Sequence, residues 1–263
     1  MKNSNCYKTL LLILIIMFLL KENSANTEDP VFMRLPKATN EYLFFPELGV
    51  AKWFYESGIA EKNLIYNILD NYIDPTKNFI DIGAHVGTYS YVLGKKANHT
   101  FAFECNPKVF CYLAANIALH ELEDKITPFS YALGNVESEL DYYIRSIDGG
   151  GNGFKFLNDN DNNLKKLKIK VKTLDSFNLT NIGFIKIDVE GFEKEVLEGA
   201  LETLRINNYP PILFESWGEW KENEGVPANK IKTDLFNFIK HIGYQIETSG
   251  NHNDMYIAKY INN

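Results

Sequence analysis

The chain alternates short apolar runs with longer segments whose apolar residues recur at helical spacing. Five runs read as strands: "NFIDIG" (78–83), "HTFAFE" (99–104), "KITPFSYAL" (125–133), "GFIKIDV" (183–189) and "PILFES" (211–216). Helical patterns follow four of them, at 86–97, 107–120, 192–207 and 231–242. Strand–helix alternation of this kind predicts an α/β fold with a mainly parallel, doubly wound sheet and helices on both faces.

Other segments depart from this alternation. The strand-like stretches "ELDYYIR" and "KIKVKTL" flank a Gly/Asn/Asp-rich loop and predict a hairpin insertion at 139–173. Two strand-like stretches at 243–249 and 255–261 predict a closing antiparallel hairpin. Residues 31–77 contain an extended part and a helical pattern, and they precede a main domain that we assign to 78–263.

The first 30 residues are set apart from the fold. Lys2 and Lys8 precede the apolar run "TLLLILIIMFLL" (9–20). This run fits the core of a signal peptide and is short for a membrane span, which needs roughly 20 residues. A cleaved signal peptide and an uncleaved signal anchor both remain open, and either predicts a secretory or membrane-anchored protein.

Composition narrows the class of partner. The 263 residues are 45% hydrophobic and carry a net charge of −7, which is typical of a globular protein and offers no broad basic footprint. A nucleic-acid partner is therefore not predicted. The oligomeric state is not encoded in any pattern that we can identify.

The segment "FIDIGAHVGTYS" (79–90) has the order strand, turn, helix that is typical of nucleotide-binding loops. Gly83 allows a sharp turn where the strand ends, and Gly87 allows a close approach to the backbone. The next strand ends at Glu104, at the offset where dinucleotide folds place an acid on the ribose hydroxyls.

The choice of cofactor depends on what surrounds Gly83. An NAD loop requires G-x-G-x-x-G, but His85 and Thr88 occupy the second and third glycine positions. An NAD-dependent oxidoreductase is therefore disfavoured. Asp81, two residues before the first glycine, is instead the acid that methyltransferases place near the cationic methionine end of S-adenosylmethionine.

Several motifs in order resemble one family. "FIDIGAHVGTYS", "FAFECNPKVFCYLAANIALHEL", "VKTLDSF", "FIKIDVEGFEKEVLEGALETL" and "PILFE" are similar to the FkbM-type S-adenosylmethionine-dependent methyltransferases over about 78–216, most closely at 184–201. The resemblance implies a class I, Rossmann-like methyltransferase fold, a seven-stranded sheet with an antiparallel last strand. It also implies O-methylation of a hydroxyl on a glycan or small molecule. The cofactor residues that it implies are Asp81, Gly83, Ala84, Gly87, Glu104, Tyr131 and Ala132.

The sequence departs from the family at two positions. His85 stands where Asn is usual, and it can still donate a hydrogen bond to cofactor or substrate. Cys105 stands where Pro is usual, so the backbone after Glu104 is less rigid. Asp81 and Glu104 are both retained, and cofactor binding is therefore expected.

Methyl transfer to an alcohol is assisted by a base, and ligands of open α/β sheets bind beyond the carboxyl ends of the strands. Asp188 and Glu190 end the fourth parallel strand, and His85 lies in the cofactor loop, so these three are the predicted catalytic residues. Asp188 is the first choice as base or orienting acceptor, although pairing with Lys186 is an alternative.

Other residues have less specific predictions. Glu190 either caps the next helix or contacts substrate, whereas Glu193 is assigned only to stabilising the first helical turn. Glu215 and Trp217 are predicted to contact substrate, although core packing is an alternative for Trp217. No ligand spacing predicts a metal, and a divalent cation on Asp188, Glu190 and Glu215 is the weaker reading.

Two functions of different classes therefore remain. The favoured one is an O-methyltransferase, and the alternative is a non-catalytic binding or scaffold protein that retains the fold.

Overall fold

A computed structural model describes residues 31–34, 42–45, 59–144, 152–154, 165–249 and 254–261. The predicted leader, residues 1–30, and most of the Gly/Asn/Asp-rich loop of the insertion lie outside these ranges. None of the helices in the described ranges has both the length and the apolar character needed to cross a bilayer.

The described strands and helices, in chain order, have the following bounds. The strands are β1 (Val31–Arg34), β2 (Tyr42–Phe45), β3 (Asn78–Ile82), β4 (Thr100–Phe103), β5 (Ile126–Phe129), β6 (Ala132–Leu133), β7 (Ser138–Ile144), β8 (Lys165–Lys172), β9 (Ile182–Ile187), β10 (Ile212–Glu215), β11 (Tyr244–Thr248) and β12 (Met255–Tyr260). The α-helices are α1 (Ile59–Asn71), α2 (Thr88–Gly94), α3 (Pro107–Leu119), α4 (Glu193–Glu198), α5 (Leu201–Ile206) and α6 (Ala228–His241). Short 3₁₀ turns occur at Leu174–Phe177 and Glu219–Glu224.

Seven of the described strands form the central sheet, in the order β11-β12-β10-β9-β3-β4-β5. Its inner pairs are parallel, whereas β12 runs antiparallel to both β10 and β11. This arrangement confirms the predicted class I topology and places the antiparallel strand second from the edge. The chain order reverses between β3 and β9, and open α/β sheets bind ligands at such a switch point.

The sheet is buried on both faces, as expected for parallel strands covered by helices. On one face, α1, α2 and α3 contribute Leu64, Ile68, Leu93 and Leu113 to packing against residues such as Phe79 and Ala102. On the other face, α4, α5 and α6 pack Val196, Leu204, Leu235 and Ile239 against residues such as Ile80, Ile187 and Ile212. Both layers are therefore anchored by the apolar runs that indicated the strands.

A second, three-stranded sheet has the order β6-β8-β7. Strands β7 and β8 pair antiparallel from Ser138↔Val171 to Ile144↔Lys165, and β6 joins β8 in parallel. Its buried residues Ala132, Tyr142, Ile169 and Val171 pack with Cys105, which follows the end of β4. The small sheet therefore lies against the carboxyl end of the central sheet.

Two elements differ from their sequence predictions. The single helix predicted at 192–207 is divided into α4 and α5 at Gly199 and Ala200, where the backbone packs so closely on Gly134 that a Cβ at Gly199 would lie 2.0 Å from its carbonyl oxygen. The single strand predicted at 125–133 is divided as well, since β5 extends the central sheet and β6 joins the small one. In both cases the break depends on a neighbour distant in sequence.

Candidate functional site

A cavity of about 310 Å³ opens at the carboxyl ends of the central strands, at the switch point between β3 and β9. The loop after β3 forms one wall, and the turns after β9 and β10 form another. The small sheet and the loop that it carries contribute the aromatic side of the cavity. It is lined by nine of the residues singled out from the sequence: Gly83, Ala84, His85, Glu104, Tyr131, Ala132, Asp188, Glu190 and Glu215.

The loop after β3 is held in place by backbone contacts. The amides of Gly83 and Ala84 each donate a 2.9 Å hydrogen bond to the carbonyl of Phe103 at the end of β4. Gly83 has a φ of 73°, and a Cβ there would lie 1.8 Å from the carbonyl oxygen of Asp188. Only glycine therefore allows the loops after β3 and β9 to approach this closely.

Gly87 allows a close approach to the backbone, as predicted, but the group that approaches it is a side chain of α3. Gly87 does not line the cavity but precedes α2 with a φ of 92°, and a Cβ there would lie 2.7 Å from Leu113 Cδ1. Gly87 thus permits α2 to begin close against α3, and it acts on the cofactor loop through packing.

Glu104 is buried at the end of β4, and its carboxylate is fixed by two backbone amides. His85 N donates to Oε2 at 3.0 Å, and Asn106 N donates to Oε1 at 2.7 Å. Burial raises the pKa of Glu104 to about 7, although both amide bonds lower it. The carboxylate is thus oriented before any ligand arrives and retains acceptor capacity for hydroxyl groups.

Asp81 lies behind the cavity wall and is fully buried. Its Oδ2 accepts a 2.6 Å hydrogen bond from Ser90 Oγ, and its Oδ1 lies 3.6 Å from Lys186 Nζ. Burial raises the pKa of Asp81 against the opposing effect of Lys186. Asp81 itself does not line the cavity, and its link to the cavity runs through Lys186.

Lys186 is a cavity residue that the sequence suggested only as a partner for Asp188. Its Nζ donates a 2.8 Å hydrogen bond to Gly83 O and lies 3.2 Å from Asp188 Oδ2. The side chain is 3% exposed, and alternation along β9 places it on the same face as Asp188. The sequence could have indicated Lys186 as a site residue, because a lysine is unusual in a mostly apolar strand that is buried on both faces.

Three acids meet at the ends of β9 and β10. Phe214 pairs with Ile187 in parallel register, so Glu215 comes beside Asp188, and Glu190 follows in a turn with a φ of 54°. One carboxylate oxygen from each of the three lies within 4.8 Å of the others. The pKa of Glu215 is raised well above its usual value by burial, and then by the charges of Asp188, Glu190 and Glu193.

Glu193 is buried rather than solvated on the first turn of α4. Its Oε1 accepts hydrogen bonds from Val189 N at 3.1 Å and Gly191 N at 3.2 Å, and burial raises its pKa to about 7. The residue assigned only to the helix thus also fixes the turn that carries Glu190. Glu193 is the first residue of α4, and the N-cap residue Phe192 makes no side-chain hydrogen bond, so no capping-box pattern in the sequence marks this contact.

The aromatic side of the cavity comes from the insertion. The ring of Phe154 lies 5.1 Å from Tyr142 and 5.0 Å from Phe192 between centroids, and all three line the cavity. Gly153 exchanges backbone hydrogen bonds of 2.9 and 3.2 Å with Tyr143, which ties this part of the loop to β7. In the sequence, the aromatic residues in "ELDYYIR" and "GNGF" were the features that could have indicated this side of the cavity.

Trp217 does not line the cavity. It is buried with Val226 and Ala228, and a Cβ on Gly191 would lie 2.7 Å from its ring. The structure thus favours the packing alternative for Trp217, which supports the turn after β9 from behind.

The site combines the glycine loop after β3, the oriented carboxylate of Glu104 after β4, and the group of acids at the ends of β9 and β10. Lys186 is the one Lys or Arg side chain among the described residues that line the cavity, and four carboxylates line it as well. Such a site can accept hydrogen bonds from hydroxyls, stabilise a cationic ligand and receive a proton.

Comparison with known proteins gives one family match. Residues 81–246 match the family described as the methyltransferase FkbM domain, a span of more than half of the chain. Hexuronic acid methyltransferase AglP of Haloferax volcanii is 28% identical over 129 residues, which cover 49% of this chain and 52% of that protein. The chain thus spans about half the length of this curated relative.

One solved methyltransferase structure agrees with the fold. The S-adenosylhomocysteine-bound methyltransferase PaMTH1 of Podospora anserina has a TM-score of 0.50 at 10% identity, covering 81% of this chain and 82% of that one. The FkbM methyltransferase of Methylobacillus flagellatus has a TM-score of 0.46 at 15% identity, covering 78% of this chain and 55% of that one.

Proposed function

This chain belongs to the FkbM family of S-adenosylmethionine-dependent methyltransferases, and we propose that it methylates a hydroxyl of a glycan or small molecule. One observation carries the proposal. A single cavity brings together the glycine loop, Glu104 and Asp188 at the switch point of the sheet. The residues expected to hold a nucleoside thus face those expected to handle an acceptor.

The residues of the β3 and β4 walls fit the cofactor. The Glu104 carboxylate is suited to accept hydrogen bonds from ribose hydroxyls, since two backbone amides already fix its orientation. Tyr131 and Ala132 line the adjacent wall, where we assign the adenine. When bound, S-adenosylmethionine supplies an electrophilic methyl group, and the protein's task is to position the acceptor and exclude water.

Asp188 is the proposed base or orienting acceptor. Lys186 Nζ lies 3.2 Å from its Oδ2, and the Asp188 side chain is 36% exposed toward the cavity opening. A hydroxyl held against the free side of this carboxylate would transfer its proton to Asp188 as its oxygen forms the new bond. His85 and Glu190 lie on the same cavity and are proposed to orient the acceptor.

The choice of a glycan-type acceptor is supported by the relative whose printed name is hexuronic acid methyltransferase. Carboxylates such as Glu190 and Glu215 are acceptors that suit the several hydroxyls of a sugar. These features support a hydroxyl-rich, sugar-type acceptor.

The location is a separate proposal. The apolar run at 9–20 supports entry into the secretory pathway, or anchoring at a membrane if the leader is retained. N-terminal sequencing of the mature protein tests cleavage. A soluble protein that retains Met1 would contradict both readings.

Calorimetric titration with S-adenosylmethionine is the primary test, followed by a screen of glycans and hydroxylated metabolites for S-adenosylhomocysteine release. We expect one binding site per chain and product formation with at least one hydroxylated acceptor. A folded protein without detectable cofactor binding would overturn the proposal and favour a non-catalytic module.

A further inference from the structure

The three acids at the ends of β9 and β10 form a set of candidate metal ligands. Asp188, Glu190 and Glu215 come from two neighbouring parallel strands and one tight turn, and each offers an oxygen within 4.8 Å of the other two. Oxygen ligands of one cation lie about 2.0–2.6 Å from it, and so at most about 5 Å from one another. The observed spacing therefore accommodates one shared cation.

A second observation concerns Glu215 alone. Part of its side chain is reached from the cavity, but its Oε2 atom is buried and has no hydrogen-bond partner among the described residues. A buried carboxylate oxygen without a donor costs free energy, because it has left water without a replacement. A cation bound between Glu215 and its acidic neighbours would supply the missing partner.

Among the described residues that line the cavity, the one ammonium group pairs with only one of these three acids. Lys186 Nζ lies 3.2 Å from Asp188 Oδ2 and 3.6 Å from the buried Asp81 Oδ1, and it also donates to Gly83 O. One positive charge is thus shared by two acids. Glu193 adds a further carboxylate behind the turn, so among the described residues the carboxylates at this end of the cavity outnumber the one ammonium group of Lys186.

We propose that Asp188, Glu190 and Glu215 bind a divalent, oxygen-preferring cation such as Mg²⁺, Mn²⁺ or Ca²⁺. The three ligands are all carboxylates, which is the donor chemistry of hard cations and not of Zn²⁺ or Cu⁺. The inference rests on the proposed function for its role: the cation would hold the acceptor's oxygen beside Asp188 and favour loss of its proton. It would also admit an acceptor that carries a carboxylate of its own.

The test uses the full chain, stripped with a chelator, and Mn²⁺ alone as the probe. Free Mn²⁺ is counted by electron paramagnetic resonance, and cofactor binding is measured separately by calorimetry. We expect one Mn²⁺ site in the wild type. We expect Glu215→Gln and Glu190→Gln each to weaken it at least about 10-fold. Glu247→Gln is the matched control and should leave the site unchanged, because Glu247 lies on β11 in an exposed ion pair with Lys259 of β12.

The outcomes are distinct. A wild type that binds S-adenosylmethionine but no Mn²⁺ would overturn the metal site and leave the proposed function intact. Equal Mn²⁺ affinity in the wild type and in both folded variants would also overturn it. Mn²⁺ binding that is lost in the variants supports the site even if the cofactor does not bind. Two variants are used because Glu215→Gln could fail to fold. Glu190 is half-buried and lies in a turn, so Glu190→Gln is expected to fold and still tests the site.

Discussion

Lys186 Nζ donates a 2.8 Å hydrogen bond to the carbonyl oxygen of Gly83, although the two residues lie 103 positions apart. The bond joins the end of β9 to the loop after β3, across the switch point of the sheet. The same nitrogen reaches Asp81 and Asp188, so one buried side chain connects the cofactor loop to the proposed base.

Replacing Lys186 should therefore destabilise the fold. Lys186→Met leaves the fully buried Asp81 without a compensating charge, and breaking a buried pair in this way costs about 3–5 kcal/mol. Urea denaturation measures the change, with the exposed Lys230→Met as control. We expect Asp81→Asn to recover part of the loss in the double variant, and strict additivity would contradict the coupling.

Gly83→Ala tests the close approach of the two loops. The positive φ costs about 1–2 kcal/mol in a residue with a Cβ, and the clash with Asp188 O adds to this. Gly225→Ala is a matched control, since Gly225 also has a positive φ but a Cβ there meets nothing within 4 Å. Equal stability of the two variants, by thermal denaturation, would show that the contact with Asp188 has no role.

Glu104→Gln should weaken binding of S-adenosylmethionine. Hydrogen bonds to a charged group contribute about 1.5–3 kcal/mol, which corresponds to roughly 10- to 150-fold in affinity. Calorimetry measures the dissociation constant, and thermal denaturation checks that the variant is folded. Unchanged affinity would remove Glu104 from the cofactor site.

Asp188→Asn should lower kcat and leave cofactor affinity within about threefold. Loss of a general base typically costs about 10²–10⁴ in rate. The measurement is S-adenosylhomocysteine release with an acceptor found in the screen. A base predicts that the rate of the wild type rises with pH and that this dependence is lost in the variant, whereas an orienting acceptor predicts a uniform decrease.

Stability of the metal-free, cofactor-free protein should fall as pH rises between about 4.5 and 7. The pKa values of Glu104 and Glu193 are raised from 4.5 to about 7, mainly by burial. In that window the folded state holds protons that the unfolded state has released, so the free energy of unfolding decreases with pH. Urea denaturation at pH 5 and pH 8 measures the fall, and Glu193→Gln should reduce it.

Much of the sheet and part of the site follow from the sequence by itself. Parallel strands that are buried on both faces have nearly continuous apolar sequences. Strands such as 183–189 can therefore be recognised from the sequence without knowing which strands lie beside them. Turns at strand ends need glycine, and Gly83 therefore marks the cofactor loop. Glu104, Asp188, Glu190 and Glu215 end parallel strands, and such ends share one edge, so their meeting in one cavity also follows.

Tertiary structure decided which polar groups face the cavity. In the sequence Asp81 is a predicted cofactor residue and Glu193 an ordinary helix-start acid, but packing from distant segments buries both. Trp217 is removed from the cavity by its contact with Gly191, and one helix becomes two where Gly199 meets the backbone of Gly134. Periodicity reports which side of an element is buried. Which atoms cover it, and what they do to a carboxylate, depends on contacts between residues far apart in the chain.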